Sequence, residues 1–166
     1  MSIDTKLKVV VLGAGFGGLE LSTILSEKLG NNLDLTLIDK NDSFFFGYSK
    51  FDVMFGNKSP ESVRLYYKNI LKPGVKFIRD TVTLIDPDNR IVTTRKDKYN
   101  ADVLVIALGA DYNINSTPGL TEGGNEFYSI EGAVRLRDIL PLFTKGKVVV
   151  GVCSAPFKCP PAPSEA

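Results

Sequence analysis

The alternation of apolar and polar positions predicts a strand, a turn, a helix and a second strand at the start of the chain. Residues 9–12 are a wholly apolar run, which is typical of a strand buried in a parallel sheet. A glycine-rich turn at residues 13–18 separates this run from a segment with helical spacing of apolar residues. The apolar stripe of that segment is Leu21, Ile24, Leu25 and Leu29. The next strand is predicted at residues 33–39, where apolar positions alternate.

The same patterning predicts further elements along the rest of the chain. Further strands are predicted at residues 75–78, 81–85, 90–94, 103–108 and 147–150. Further helices are predicted at residues 61–71, after a serine–proline–glutamate start, and at residues 130–143. Strands alternating with helices predict an α/β fold, here a Rossmann-like domain with a parallel central sheet and a small β-meander.

The end of the chain predicts a second unit that is only begun. The strand expected at residues 147–150 is followed by a turn and by no helix that would cover it. We therefore expect the start of a second Rossmann-like unit and interpret the chain as a fragment.

Length and composition limit the classes of protein to consider. The chain has 166 residues, of which 43% are apolar and 23% charged, and its net charge of +1 gives no electrostatic case for nucleic acid. No apolar run approaches the roughly 20 residues that span a bilayer, and residues 1–6 do not resemble a signal peptide. Two closely spaced cysteines do not suggest a disulfide-rich secreted scaffold, so a cytoplasmic location is expected.

The glycine-rich turn predicts a dinucleotide-binding loop, because a strand precedes it and a helix follows it. Gly13 allows the sharp turn, Gly15 lets the backbone approach a pyrophosphate, and Gly18 lets helix and strand pack closely. The N–H groups and the dipole at the start of the helix attract the anion. The candidate residues of this loop are Gly13, Ala14, Gly15, Phe16, Gly17 and Gly18. A plain glycine turn is the alternative.

Asp39 ends the second predicted strand, 21 residues after Gly18. A dinucleotide-binding domain carries a carboxylate at this point, where it binds ribose hydroxyls. Such an acid also disfavours a 2′-phosphate by charge repulsion. Lys40 follows directly and is a candidate cofactor-binding residue. The alternative for Asp39 is an ordinary acidic strand end.

Three motifs in order carry a resemblance to a known family. With VVVLGAGFGGLELS at residues 9–22, LTLIDK at 35–40 and DVLVIALGA at 102–110, the chain resembles the pyridine nucleotide–disulfide oxidoreductase superfamily of flavoproteins. The resemblance implies that the first domain binds FAD. Ala107, Leu108 and Gly109 match the family's Ala-Thr-Gly-type motif, with Leu108 at the usual threonine position. Val82 matches a strand position that offers its backbone to the adenine.

The resemblance also implies a division of the chain. Residues 1–116 would be the FAD-binding Rossmann-like domain, residues 117–144 a connecting loop and helix, and residues 145–166 the truncated start of a second dinucleotide-type domain. The aromatic stretch at residues 42–56 can lie against the flavin ring or simply pack on the core.

The segment PFKCPPAPSE at residues 156–165 resembles the active-site segment of sulfide:quinone oxidoreductases and flavocytochrome c sulfide dehydrogenases. The match implies Cys159 as the redox cysteine and Glu165 as an acid/base. A thiolate is the nucleophile, and the neighbouring prolines restrict the backbone that holds it. The alternatives are an inert buried thiol for Cys159 and a first-turn helix acid for Glu165. Cys153, directly after a predicted strand, is expected in the core.

A second glycine fingerprint is missing after the strand expected at residues 147–150. Cysteine and proline stand where its second and third glycines would be, and both add bulk where a pyrophosphate would approach. Tight binding of NAD at this second site is therefore not expected, which argues against an NADH dehydrogenase.

The resemblance implies an FAD-dependent oxidoreductase that oxidises sulfide to sulfur or polysulfide and passes electrons through FAD to quinone. Sulfide and quinone are the expected small-molecule substrates, with no metal site and no nucleic acid. The family also allows peripheral membrane contact through a C-terminal part and a homo-oligomer. The alternatives are an NAD(P)H-dependent flavoprotein of the NADH:quinone or disulfide reductase type, and a non-catalytic nucleotide-binding module. The 166 residues alone are expected to retain FAD weakly and to be inactive.

Overall fold

The computed structural model describes residues 6–70 and 72–153, which divide into two compact units. The first unit holds the residues up to 44 together with residues 65–110. The second unit holds residues 45–64 and the residues from 111 onward. The functional division at residues 1–116, 117–144 and 145–166 stays a prediction.

The described residues form the following strands and helices. The strands are β1 (Lys8–Leu12), β2 (Asp34–Asp39), β3 (Ser43–Phe45), β4 (Arg64–Tyr66), β5 (Val75–Arg79), β6 (Val82–Asp86), β7 (Ile91–Thr94), β8 (Lys98–Asn100) and β9 (Val103–Ile106). The α-helices are α1 (Phe16–Leu29), α2 (Ser49–Met54), α3 (Leu120–Gly123) and α4 (Ile130–Ile139). Short 3₁₀ helices are Gly30–Asn32, Glu61–Val63, Tyr67–Asn69, Ile114–Ser116 and Leu140–Leu142.

The first unit is built on a four-stranded sheet in the order β5-β2-β1-β9, in which all strand pairs are parallel. This confirms the predicted α/β, Rossmann-like fold with a parallel central sheet. The chain winds outward on one side of β1 through β2 and β5 and then returns to β9 on the other side. In open parallel sheets, ligands bind at the carboxyl ends of the strands where the order reverses in this way.

Both faces of the central sheet are covered. Val9 and Val11 lie on the face against which Leu21 and Leu25 of α1 pack. Val10, Leu12, Ile38 and Val92 form the buried cluster on the opposite face. The antiparallel meander β6-β7-β8 covers this second face, with Val92 fully buried. The predicted β-meander therefore connects β5 to β9 and also forms one layer of the core.

The predicted apolar stripe of α1 is wrong in part. Ile24 and Leu29 are exposed, whereas Ser22 and Ser26 are buried. The Ser22 hydroxyl donates to the Gly18 carbonyl at 2.7 Å, and the Ser26 hydroxyl donates to the Pro73 carbonyl at 2.7 Å. Small side chains let the helix approach the sheet closely, and these hydrogen bonds satisfy the two buried hydroxyls.

The helix predicted over residues 61–71 is wrong. The described part of that segment is a 3₁₀ turn, the strand β4 and a second 3₁₀ turn. β4 pairs with β3, and the Tyr67 N–H donates to the Asp42 carbonyl at 3.0 Å. The Tyr67 side chain is only 2% exposed and packs in the core of the first unit. Pairing with a distant strand and burial of this ring outweigh the local helix-start signal.

The strand predicted at residues 147–150 is also wrong. These residues have no regular structure, and Val149 is 89% exposed. A strand is stable only beside another strand that satisfies its backbone groups, and the described chain places none there. The helix predicted to residue 143 ends as α4 at Ile139, because Pro141 lacks the N–H that would continue it.

The second unit has its own small core between α2 and α4. Val53, Met54 and Ala133 are buried there, and partly buried Phe51 and Phe127 pack against them. Ser129 caps α4, because its hydroxyl accepts the Gly132 N–H at 2.9 Å.

Candidate functional site

A cleft of about 640 Å³ opens in the first unit, beside the carboxyl ends of the central strands. This volume suits a small-molecule ligand, because such sites typically measure about 300–1,000 Å³. Five residues predicted from the sequence line the cleft, namely Gly13, Asp39, Lys40, Val82 and Leu108. They come from four separate parts of the chain that the sheet topology brings together.

The turn after β1 requires glycine for two geometric reasons. Gly13 has a φ of +94°, a conformation that other residues rarely adopt. A Cβ on Gly13 would lie 2.4 Å from the Ala107 carbonyl oxygen, so only glycine lets the turn lie against the end of β9. A Cβ on Gly18 would lie 1.9 Å from the Gly13 carbonyl oxygen. The start of α1 is therefore in direct contact with the turn.

The N-terminus of α1 faces open space. Gly15 is its N-cap residue, and a Cβ built there has no other atom within 4 Å. Within the described chain, no side chain caps this helix end and no acidic residue lies in its first turn. The helix dipole at this end attracts negative charge, and the absence of a Cβ allows close approach of the backbone. This arrangement fits a pyrophosphate group.

Asp39 lies beside the same turn. Its Oδ2 accepts the Ala14 N–H at 2.7 Å, and its Oδ1 accepts the Asn41 N–H at 2.8 Å. A carboxylate oxygen has two lone pairs, so each oxygen keeps capacity for a hydroxyl donor from a ligand. Burial raises the pKa of the Tyr67 phenol, and the negative charges of the Asp39 and Asp42 carboxylates raise this pKa further.

Residues 107–109, which follow β9, lie beside the glycine turn after β1. The Ala107 N–H donates to the Leu12 carbonyl at 2.8 Å, and Gly109 has a φ of +71°. Leu108 is 56% exposed and contributes to the wall of the cleft. An approach of the cofactor to the backbone at this position stays a prediction.

Of the candidate loop residues only Gly13 lines the cleft, and of the candidates after β9 only Leu108 does. Phe16 is 62% exposed, and its ring meets Phe44 edge-on at a centroid distance of 4.9 Å. A Cβ on Gly17 would lie 3.9 Å from the Ala107 Cβ, an ordinary contact. Phe44 belongs to the aromatic stretch and packs on protein here, while contact of that stretch with a flavin stays a prediction.

The sequence did not single out Asp80, which also lines the cleft. Its carboxylate is buried, at 7% exposure, and accepts the N–H groups of Thr81 at 2.7 Å and Lys96 at 3.1 Å. Burial acts to raise the pKa of Asp80, but hydrogen bonds from Thr94, Thr81 and Lys96 outweigh it and lower the pKa. The available signal was an acid directly after β5, close to the position of Asp39, which is the last residue of β2.

The candidate catalytic residues Cys159 and Glu165 lie outside the described residues. Cys153 is exposed, so its predicted place in the core is wrong, because the strand that would have buried it is not formed. The described residues contain no group of three or more side chains suited to binding a metal ion. None of the described helices has both the length and the apolar character needed to cross a membrane.

The chain is similar to known oxidoreductases. The family model for pyridine nucleotide-disulphide oxidoreductases matches residues 7–152. A type II NADH:quinone oxidoreductase of Staphylococcus aureus is 32% identical over 141 residues, covering 84% of this chain and 34% of that protein.

Two solved structures illustrate the shared fold. The sulfide:quinone oxidoreductase of Aquifex aeolicus superposes with a TM-score of 0.73 at 26% identity, over 82% of this chain and 32% of that one. NDH2 of Plasmodium falciparum gives a TM-score of 0.70 at 23% identity, over 87% of this chain and 31% of that one, and shows the fold alone. The chain thus spans about a third of the length of these proteins.

Proposed function

Since the chain belongs to the pyridine nucleotide-disulphide oxidoreductase family, whose members bind FAD, we propose that the cleft of the first unit holds the ADP half of FAD. The observation that carries the proposal is the meeting of the glycine turn, Asp39 and Val82 around one cleft. FAD, when bound, supplies the redox chemistry, and the protein supplies binding and orientation.

Each part of the cleft has a proposed contact. The turn from Gly13 to Gly18 and the start of α1 would bind the pyrophosphate through backbone N–H groups. Asp39 would accept hydrogen bonds from the ribose hydroxyls. The backbone of Val82 would bind the adenine, and Lys40 would lie beside the same nucleotide half. Ala107, Leu108 and Gly109 would approach the cofactor from the end of β9.

We further propose that the enzyme to which this chain contributes passes electrons to a quinone. Support comes from the names of two similar proteins, a type II NADH:quinone oxidoreductase and a sulfide:quinone oxidoreductase. The chain covers about a third of each, so the quinone contact would involve parts of an enzyme beyond these residues.

Hydrosulfide is the proposed electron donor. The support is the resemblance of residues 156–165 to the active-site segment of sulfide-oxidising flavoproteins. In this proposal Cys159 takes up the sulfur as a persulfide, with a second cysteine beyond this chain. Glu165 takes the proton of hydrosulfide. Forming this persulfide from hydrosulfide and the Cys159 thiol is a two-electron oxidation, for which bound FAD would supply the oxidant and a quinone would be the final acceptor.

NADH is the second candidate donor, and a specific observation favours it. The Staphylococcus aureus relative at 32% identity is an NADH:quinone oxidoreductase. Against it stands the altered fingerprint at residues 151–156, where cysteine and proline replace glycines.

Isothermal titration of the chain with ADP and with FAD tests the proposed site. Saturable binding of one equivalent of either ligand, weakened by Asp39→Ala, is the expected result. Absence of ADP binding at millimolar concentration by the folded chain contradicts the proposal. Anaerobic mixing of the FAD-loaded enzyme to which this chain contributes with sulfide or with NADH separates the two donors: bleaching of the flavin by NADH alone would rule out sulfide.

A further inference from the structure

We propose that Asp80 is a positioning residue. It holds the start of β6 at a fixed distance from Asp39, so that the backbone of β6 can recognise adenine. This inference rests on the proposed site for the ADP half of FAD. It assigns to Asp80 a role in base selectivity, which is separate from binding the ribose or the pyrophosphate.

Asp80 links the two parts of the cleft by hydrogen bonds on both sides. Its backbone N–H donates to the Asp39 carbonyl at 2.9 Å, which joins it to the end of β2. Its carboxylate accepts the Thr81 N–H at 2.7 Å and the Lys96 N–H at 3.1 Å. One residue therefore connects the proposed ribose-binding acid to the start of β6.

Thr81, the residue before Val82, is held by hydrogen bonds at both its carbonyl and its N–H group. The Thr81 carbonyl accepts the Arg95 N–H at 3.0 Å, while the Thr81 N–H is bound to Asp80. The turn that follows β7 is itself closed, because the Thr94 N–H donates to the Asp97 carbonyl at 2.8 Å. Asp80 thus fastens the start of β6 to this turn as well as to β2.

β6 needs such an anchor because its own pairing is irregular. It is the edge strand of the meander, and its register with β7 shifts between Val82 and Leu84. A bulge of this kind weakens the ladder and redirects the strand locally. An edge strand also presents backbone N–H and C=O groups away from its partner. β6 borders the cleft, and its residues Val82, Thr83 and Leu84 are wall residues.

Backbone groups on a fixed edge can distinguish adenine from hypoxanthine. Adenine offers a ring-nitrogen acceptor and an amino donor along one edge, and hypoxanthine reverses this order. A site built to make these hydrogen bonds rejects the base that leaves them unpaired, provided that the edge cannot shift to adapt. Loss of the Asp80 anchor lets β6 shift, so discrimination should fall more than binding of the shared ribose and phosphates.

The test compares the affinities of ADP and inosine 5′-diphosphate (IDP) for the wild-type chain, Asp80→Asn and a matched control. Asparagine is nearly isosteric but cannot accept both N–H groups. The control is Asp86→Asn at the other end of β6, which accepts the Asn89 N–H at 3.1 Å and does not line the cleft. Titration calorimetry should give about a tenfold preference for ADP in wild type and control. In Asp80→Asn the preference should fall to about twofold.

The ratio of the two affinities is insensitive to simple destabilisation. A partly unfolded variant loses apparent affinity for ADP and IDP by the same factor, so their ratio is unchanged. Should Asp80→Asn be unfolded at 25 °C, Asp80→Ser serves in its place, because serine keeps one short acceptor for a following N–H. For either variant, a wild-type ADP:IDP ratio overturns the role given to Asp80.

The experiment gives different results if this inference is wrong and if the proposed cofactor site is wrong. A folded wild-type chain that binds neither nucleotide refutes the cofactor site itself. A wild-type chain that binds ADP and IDP equally leaves the nucleotide site standing and refutes base recognition by β6. Preference for ADP in wild type and Asp86→Asn, lost in the Asp80 variant, supports the inference.

Discussion

The Ala14 N–H and the Asp39 carboxylate are joined by a hydrogen bond of 2.7 Å between loop and strand end. This bond spans 25 residues of sequence and ties the glycine turn after β1 to the end of β2. The turn is therefore held by a side chain that is also placed to bind a ligand. Removing that side chain should disturb both the loop and the proposed ribose contact.

The Asp39→Ala variant should bind ADP more weakly by at least about tenfold, because hydrogen bonds to a charged group contribute roughly 1.5–3 kcal/mol. Titration calorimetry measures the change. Asp34→Ala is the control, since Asp34 lies at the opposite end of the same strand and is exposed. Equal losses of affinity in both variants would contradict a specific role for Asp39.

Three glycine-to-alanine variants should separate folding from binding. Gly18→Ala should lower the free energy of unfolding by about 1–3 kcal/mol, because its Cβ would lie 1.9 Å from a backbone oxygen. Gly13→Ala should lower the free energy of unfolding by at least as much, because Gly13 combines a close Cβ contact with a φ of +94°. Gly15→Ala has open space around its Cβ and should cost less than about 1 kcal/mol.

Gly15→Ala should nevertheless weaken binding of ADP and FAD, because the added methyl group blocks close approach of a pyrophosphate. Urea denaturation gives the stabilities and calorimetry gives the affinities. The pyrophosphate assignment fails if this variant matches wild type in nucleotide affinity while remaining fully folded.

The lowered pKa of Asp80 predicts acid sensitivity. A carboxyl group whose pKa is lower in the folded state stabilises the fold at pH above its unfolded pKa, which is 3.8 in the reference state. That stabilisation is lost as the pH falls through the folded pKa. Urea midpoints measured between about pH 6 and pH 3 should therefore fall more steeply for wild type than for Asp80→Asn. Parallel curves for the two proteins would show that the charge of the Asp80 carboxylate does not contribute to the stability of the fold.

The two cysteines offer a matched pair for the proposed chemistry. In the enzyme to which this chain contributes, Cys159→Ser should abolish reduction of bound flavin by sulfide, because serine cannot form a persulfide. Cys153→Ser should leave it unchanged, since Cys153 is assigned no part in the reaction. Anaerobic flavin bleaching is the measurement, with NADH as the second donor. Undiminished bleaching by sulfide in the Cys159 variant would remove that residue from the mechanism.

The features predicted well from the sequence are those decided within a short stretch of chain. The run at residues 9–12, the turn at Gly13 and the acid at Asp39 form one strand–helix–strand unit whose spacing is nearly fixed. Their meeting at one cleft follows from the parallel order of the strands. The fold class was predictable for the same reason.

The features missed depend on partners far away in sequence. Asp80 matters because Lys96, 16 residues later, donates a backbone N–H to it. Residues 61–71 carry a helix-start signal, yet Tyr67 is buried and its segment pairs elsewhere. Residues 147–150, with valines at 148–150, have the apolar pattern of a strand, but that pattern cannot provide a neighbouring strand to pair with. Non-local pairing decided each of these three cases.

The meander β6-β7-β8 forms a wall of the cleft through β6 and covers the second face of the central sheet, against which Val92 of β7 packs. Any opening wide enough to move β6 away from the cleft would also bring water to Leu12 and Ile38. Release of a nucleotide by that route would thus be tied to partial local unfolding of the core. Amide hydrogen exchange in β7 should slow when a nucleotide binds, even though Val92 itself never touches the ligand.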